Sequence, residues 1–195
     1  MPAGRVEGPG GAEVGAPVET IRVISRFRPI NARERAIESA DRAAPRFSDD
    51  GRSVWVGPDE AAGNYSMDAV LSPESSQLDL YNQISGIVDS VLLGYNGTIL
   101  AYGQTGSGKT HSIMGDPSAD ASAGVLPRAV RHIFESLCAD KSGAEFAVSC
   151  SYLEIYKEVV RDLLQPAAAK PDGKLGGGLA IREAVGRGPY VEGLH

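Results

Sequence analysis

A glycine-rich segment near the middle of the chain has the residue types and spacing of a phosphate-binding loop. Within residues 101–115, AYGQTGSGKTHSIMG, the pattern G-x-x-x-x-G-K-T is formed by Gly103, Gly108, Lys109 and Thr110. Glycines let successive backbone N–H groups turn inward around a polyphosphate, and the start of a following helix adds partial positive charge. Lys109 would then reach the β and γ phosphates, and the Thr110 hydroxyl would bind Mg²⁺. The pattern predicts binding of a nucleoside triphosphate but does not distinguish kinases, motors, switches and pumps.

The sequence around this loop predicts the two elements that must position it. GTILAY (residues 97–102) is short, apolar and uncharged, which is typical of a strand buried on both faces. It runs directly into the glycines, and a helix is expected to begin near Lys109. A chance match in a glycine-rich chain is the alternative, and the strand–loop–helix context makes it the less favoured one.

The residues before this strand predict two more strands and one helix. Residues 21–27 have the composition of a strand that Pro29 ends, and VWV at 54–56 predicts another. Apolar residues recur at three- and four-residue steps over residues 80–92, which predicts a helix with one buried face. Residues 1–19 are rich in Gly, Pro and Ala and are interpreted as a disordered leader.

The residues after the loop predict a broken helix followed by strands. The segment DPSADASAG (116–124) should interrupt the helix, which resumes at Pro127. EFAVSCSYLEIY (145–156) alternates like a long strand, and the short strands LAIRE and YVEGL should form a terminal hairpin after a flexible loop at 165–178. The string DKSG (140–143) has the Asp-x-x-Gly form of a phosphate sensor, but it precedes a strand and is interpreted as a turn.

Composition excludes several classes of protein. The chain has 195 residues, of which 42% are hydrophobic, and it shows neither an apolar run of membrane-spanning length nor a secretory signal, which indicates a cytoplasmic protein. Cys138 and Cys150 lie on different predicted elements and are interpreted as reduced structural thiols. A formal charge of −6 argues against a broad basic surface for nucleic acid.

The segment that contains the glycine-rich loop and four other segments resemble parts of the kinesin motor domain, and they follow one another in that family's order. The similar segments are RFRPINARE (26–34), GYNGTILAYGQTGSGKTHSIMGD (94–116), GVLPRAVRHIF (124–134), SYLEIYKEVVRDLL (151–164) and YVEGL (190–194). The resemblance implies an α/β P-loop NTPase of kinesin type, with a mixed central sheet flanked by helices, incomplete in this chain. Residues 20–195 would be the N-terminal half of the motor domain, because the family's switch strings NxxSSRSH and DLAGSE are absent. Lys157 stands where kinesins usually have Asn, which puts the local contact of that residue in doubt.

The resemblance also implies roles for particular residues. Arg26, Arg28 and Pro29 would lie beside the adenine, with Pro29 on one face of the ring and His111 close to the other. Gln104, Thr105, Gly106 and Ser107 would line the loop through their backbone, together with Gly103, Gly108, Lys109 and Thr110. The cofactors implied are ATP and Mg²⁺, with Thr110 on the metal. No catalytic residue is assigned, because the family's switch residues are absent.

The function implied is an ATP-dependent microtubule motor, located in the cytoplasm on the cytoskeleton. Tubulin is acidic, so a chain of charge −6 would contact it mainly through the missing half of the domain, and a dimer would form through regions not present. The chain alone is expected to bind nucleotide with negligible hydrolysis. A non-motor nucleotide-binding or scaffold protein is one alternative. An unrelated P-loop kinase or GTPase is the other, disfavoured because an arginine-rich lid and an NKxD string are both absent.

Overall fold

The computed structural model describes residues 21–36, 44–57, 63–165, 178–186 and 188–195. The leader expected at residues 1–19 lies outside these ranges, as does most of the loop expected at 165–178. The chain divides into two compact units, residues 1–139 and 140–195. The glycine-rich loop belongs to the first unit.

The first unit contains both parallel and antiparallel strand pairs. Its described elements are β1 (Ile24–Arg26), α1 (Ala32–Arg35), β2 (Arg46–Phe47), β3 (Ser53–Val56), β4 (Gly63–Ser66), β5 (Ala69–Leu71), α2 (Gln77–Leu92), α3 (Lys109–Ile113), a 3₁₀ turn (Asp120–Ser122) and α4 (Val125–Ala139). Strand β1 pairs with β5 in parallel, and β2, β3 and β4 form an antiparallel sheet in that order. The strands predicted at residues 21–27 and 54–56 are confirmed, the first over three residues.

Helix α2 forms as predicted because its start, its buried face and its end are all encoded locally. The Ser76 side chain accepts a hydrogen bond from the Asp79 N–H at 3.1 Å, and the Asp79 carboxylate accepts one from the Ser76 N–H at 2.8 Å, which is a capping box. Leu80 and Ile84, four residues apart, are buried. Gly94 follows the helix in a left-handed conformation that ends it.

The core of the first unit joins β5, α2 and α4. It consists of Leu71, Leu80, Ile84 and Val125, all buried. Ile24 of β1 and Ile113 of α3 pack against this cluster. This packing holds α3, the helix that follows the glycine-rich loop, beside β1.

The predicted interruption after α3 is confirmed. Helix α3 ends at Ile113, residues 116–124 turn back through the 3₁₀ turn, and α4 begins at Val125, just before Pro127. Proline fits there because the N–H groups of a first helical turn have no partner within the helix.

The strand predicted at residues 97–102 is wrong. None of the described residues pairs with this segment in a strand ladder. A strand depends on hydrogen bonds to a neighbouring strand, which an apolar pattern in one segment does not supply. Leu100 and Tyr102 are consequently 84% and 96% exposed.

The second unit consists of two antiparallel hairpins in its described residues. Strand β6 (Leu153–Tyr156) pairs with β7 (Val159–Asp162), and β8 (Ile181–Ala184) pairs with β9 (Gly188–Val191). The terminal hairpin is confirmed, but the long strand predicted at 145–156 is wrong over residues 145–151, which have no ladder partner among the described residues. Tyr152, just before β6, accepts a backbone hydrogen bond from the Leu163 N–H at 2.7 Å. The turn at 140–143 is confirmed, since the Asp140 carboxylate accepts a hydrogen bond from the Ser142 N–H at 2.9 Å.

Two further expectations concern the whole chain. None of the helices in the described ranges combines the length and the apolar character that crossing a bilayer requires. Cys138 and Cys150 are unpaired, as expected, but both are exposed and not packed in a core.

Candidate nucleotide-binding site

The glycine-rich loop has glycines at points where its path disfavours a side chain. Gly108 immediately precedes α3 with φ of 100°, a left-handed backbone conformation that residues other than glycine rarely adopt. At Gly103 an added Cβ would lie 2.5 Å from the Ser107 hydroxyl oxygen. No side chain caps the start of α3, so its first N–H groups are available to another acceptor.

Lys109 folds back over the loop that precedes it. Its Nζ donates hydrogen bonds to the carbonyl oxygens of Gly103 at 2.7 Å and of Gln104 at 2.8 Å. No carboxylate in the described part of the chain forms an ion pair with it. The ammonium group is therefore held at the loop by neutral acceptors that an anion can replace.

Arg28 connects the end of β1 to the loop. Its Nε donates to the Gly106 carbonyl oxygen at 2.9 Å, and its two terminal nitrogens donate to the Glu34 carboxylate at 2.7 and 2.5 Å. These hydrogen bonds lower the pKa of Glu34 to about 2 and raise the pKa of Arg28. The pair is therefore ionised at neutral pH.

Arg26 is held by a buried amide. Its Nη1 donates to Gln77 Oε1 at 2.8 Å and to Ser112 Oγ at 3.0 Å, and burial lowers the pKa of this arginine. Gln77 is only 4% exposed, and its Nε2 donates to the His111 carbonyl oxygen at 2.7 Å. The Gln77 side chain thus links β1 to α3 at the start of α2.

Many of the predicted site residues line one cavity of about 360 Å³. They are Arg26, Arg28, Pro29, Gly106, Ser107, Gly108 and His111. Lys109 lines a second cavity of about 510 Å³, and Gln104 lines a third of about 950 Å³. Gly103, Thr105 and Thr110 border none of these three, and Thr110 lies exposed on the first turn of α3.

Sequence reasoning missed the residues that hold this site together, Gln77, Ser112 and Glu34. A signal existed for two of them. Gln77 is a polar residue on the apolar stripe of α2, three residues before Leu80, which indicates a buried amide with partners. Asn31 and Glu34 have the spacing of a capping box, which places the Glu34 carboxylate at the start of α1.

Comparison with known proteins identifies the family. Residues 26–195 match the family model of the kinesin motor domain. Kinesin-related protein 5 of Dictyostelium discoideum is 41% identical over 181 residues, which cover 89% of this chain and 17% of that protein. The human kinesin heavy chain isoform 5C is 39% identical over 175 residues, with the same coverage of 89% and 17%. The solved structure of a fast kinesin aligns with a TM-score of 0.77 at 37% identity, covering 90% of this chain.

This chain corresponds to only part of each protein that it matches. It spans 47% of the fast kinesin chain and 17% of the two relatives. The α/β P-loop fold of kinesin type, incomplete in this chain, is confirmed, although its strands form separate sheets in the described residues. The chain belongs to the kinesin motor-domain family.

Proposed function

We propose that this chain supplies the nucleotide-binding part of an ATP-dependent microtubule motor. Residues 20–195 would form the first half of its motor domain, behind a leader at 1–19, and the motor would act on microtubules in the cytoplasm. The observation that carries the proposal is Lys109, a cation held at a glycine-rich loop by carbonyl oxygens alone. The fast kinesin that this chain resembles was described in terms of ATPase mechanism and interactions with microtubules.

The loop and the cavity suit the two ends of a nucleotide. Lys109 and the N–H groups at the start of α3 would bind the β and γ phosphates, because both present positive charge without a competing carboxylate. The cavity lined by Arg26, Pro29 and His111 would accept the adenine, with the proline and imidazole rings as flat contacts for its two faces.

The exposed Thr110 hydroxyl fits the requirement for Mg²⁺. This ion prefers oxygen ligands and keeps several waters when it binds with phosphates, so one hydroxyl from the chain is a sufficient protein ligand. When bound, Mg²⁺ neutralises part of the phosphate charge. Thr110 would hold the ion beside the phosphates that Lys109 binds.

The chain is expected to bind ATP without hydrolysing it appreciably. The strings NxxSSRSH and DLAGSE do not occur in the 195 residues, so the chain alone should bind ATP with negligible turnover. Its charge of −6 is a poor match for an acidic tubulin surface, so microtubule contacts and any dimer contacts are assigned to regions outside this sequence.

The test is equilibrium binding of a fluorescent ATP analogue to the 195-residue chain, with and without Mg²⁺. We expect Lys109→Ala to weaken binding at least about tenfold, since it removes the charge at the phosphates. Thr110→Ala should remove the dependence on Mg²⁺. Lys141→Ala is the matched control, because Lys141 is an exposed lysine of the second unit. Equal affinities for the Lys109 and Lys141 variants would contradict the proposal, and ATP turnover abolished by Lys109→Ala would contradict the expected inactivity.

A further inference from the structure

Arg28, which follows β1, links the start of α1 to the glycine-rich loop. One guanidinium edge donates to both oxygens of Glu34, and the Nε donates to the carbonyl of Gly106. A guanidinium is planar with donors in a fixed fork, so the position of the carboxylate dictates where the Nε points.

The Glu34 carboxylate is itself held in place by the backbone. Its Oε2 accepts a hydrogen bond from the Asn31 N–H at 2.9 Å, and the Asn31 side chain accepts from the N–H groups of Arg33 and Glu34, both at 3.0 Å. This capping box fixes the carboxylate relative to the chain that leaves β1. Arg28 is therefore anchored at one end by a rigid acceptor and is free to support the loop at the other.

The supported part of the loop is the peptide between Gly106 and Ser107. Its carbonyl accepts from Arg28 Nε, and its N–H donates to the Gln104 carbonyl oxygen at 3.2 Å. Gly106 has φ of 81° and no side chain, so without these bonds this peptide is free to rotate. Gly106 and Ser107 line the 360 Å³ cavity, and Arg28 lines both this cavity and the adjoining 950 Å³ cavity.

We infer that Glu34 is a positioning residue for nucleotide binding. It acts through Arg28 to fix the peptide between Gly106 and Ser107 before the nucleotide arrives. This inference rests on the proposed nucleotide-binding function of the same loop. A peptide fixed beforehand does not have to be ordered on binding, so loss of Glu34 should weaken affinity without removing any direct contact to the ligand.

A double-mutant cycle on the 195-residue chain tests the inference, with the fluorescent ATP analogue and Mg²⁺ as the probe. Glu34→Ala should weaken binding about three- to tenfold, the equivalent of one ordinary hydrogen bond. Arg28→Ala should weaken it at least as much, and adding Glu34→Ala to Arg28→Ala should change affinity no further. Glu135→Ala, an exposed glutamate of α4, should bind as the unaltered chain does.

The outcomes separate this inference from the proposed function. The inference is overturned if Glu34→Ala weakens nucleotide affinity equally in the unaltered chain and in the Arg28→Ala variant. It is also overturned if Glu34→Ala alone leaves the affinity unchanged. Failure of the unaltered chain to bind, or indifference to Lys109→Ala, would overturn the proposed function and the inference with it. If Glu34→Ala does not fold, Glu34→Gln keeps the shape and an acceptor for Asn31 but loses the charge, and the same comparison in the Arg28→Ala background applies.

Discussion

Replacement of Gln77 by leucine tests whether one buried amide holds β1 against α3. Gln77 is 4% exposed, accepts a hydrogen bond from Arg26 at 2.8 Å and donates one to the His111 carbonyl at 2.7 Å. Leucine fills a similar volume with no polar atom. Both hydrogen bonds are therefore lost while the packing against α2 is largely kept.

The expected loss of stability follows from the two partners. Arg26 is half-buried and keeps Ser112 as an acceptor, so its lost bond should cost about 1 kcal/mol. The His111 carbonyl loses its amide donor, which should cost about 1–2 kcal/mol if water does not replace it. Leucine recovers part of this through apolar burial, roughly 0.5 kcal/mol. The free energy of unfolding of the first unit should fall by about 2 kcal/mol.

The assay is urea unfolding followed by the fluorescence of Trp55, the only tryptophan, which lies on β3 of the first unit. Asn82→Leu is the control, because Asn82 is exposed on the same helix and its replacement should change stability by less than about 0.5 kcal/mol. A Gln77→Leu loss no larger than that of the control would refute the role assigned to the amide.

Three further predictions concern the acid range, a strained turn and an exposed segment. The pKa of Glu34 is about 2, below its ordinary 4.5, because Arg28 holds the ionised form; its stabilisation is present above pH 4.5 and lost as the pH falls toward 2. The stability difference between the unaltered chain and Glu34→Gln, followed by Trp55 fluorescence, should therefore be constant from about pH 8 to 5 and shrink below 4.5; a constant difference down to pH 3 would argue against it. Lys157 has φ of 49° in the two-residue turn between β6 and β7, a conformation that asparagine adopts more readily than lysine. Lys157→Asn should therefore stabilise that hairpin by about 0.5–1 kcal/mol and slow its amide hydrogen exchange. Unchanged exchange would contradict this prediction. Leu100 is 84% exposed in a segment without a ladder partner among the described residues, so we expect copies of the chain to associate through this apolar surface. Leu100→Lys should weaken that association in sedimentation experiments, and association as strong as that of the unaltered chain would count against it.

The parts of the fold that sequence predicted correctly are those whose information is local. Helix α2 has its capping box, its apolar stripe and its terminal glycine within residues 76–94, so no distant contact is needed to recognise it. The glycine-rich loop and the start of α3 at Lys109 follow from glycine conformations that few other residues adopt. The terminal hairpin likewise depends on neighbouring strands joined by a short turn.

Sequence reasoning failed where the outcome depends on distant partners. Residues 97–102 and 145–151 have strand-like apolar patterns, but a strand requires a neighbouring segment to exchange hydrogen bonds with, and none of the described residues forms a ladder with them. Gln77 was missed for the same reason, since its partners Arg26 and His111 lie 51 and 34 positions away.

The geometry of the glycine-rich loop must therefore depend less on the segment that precedes it than the sequence predicted. In a strand–loop–helix unit, the strand normally anchors one side of the loop, but residues 97–102 have no ladder bonds to the rest of the described chain. The loop is instead anchored through side chains from elsewhere: Arg28 binds the Gly106 carbonyl, and Gln77 binds the His111 carbonyl in the first turn of α3. Substitutions at these anchors should consequently perturb the loop more than substitutions within residues 97–102 do, which is the reverse of the order that the apolar pattern alone predicts.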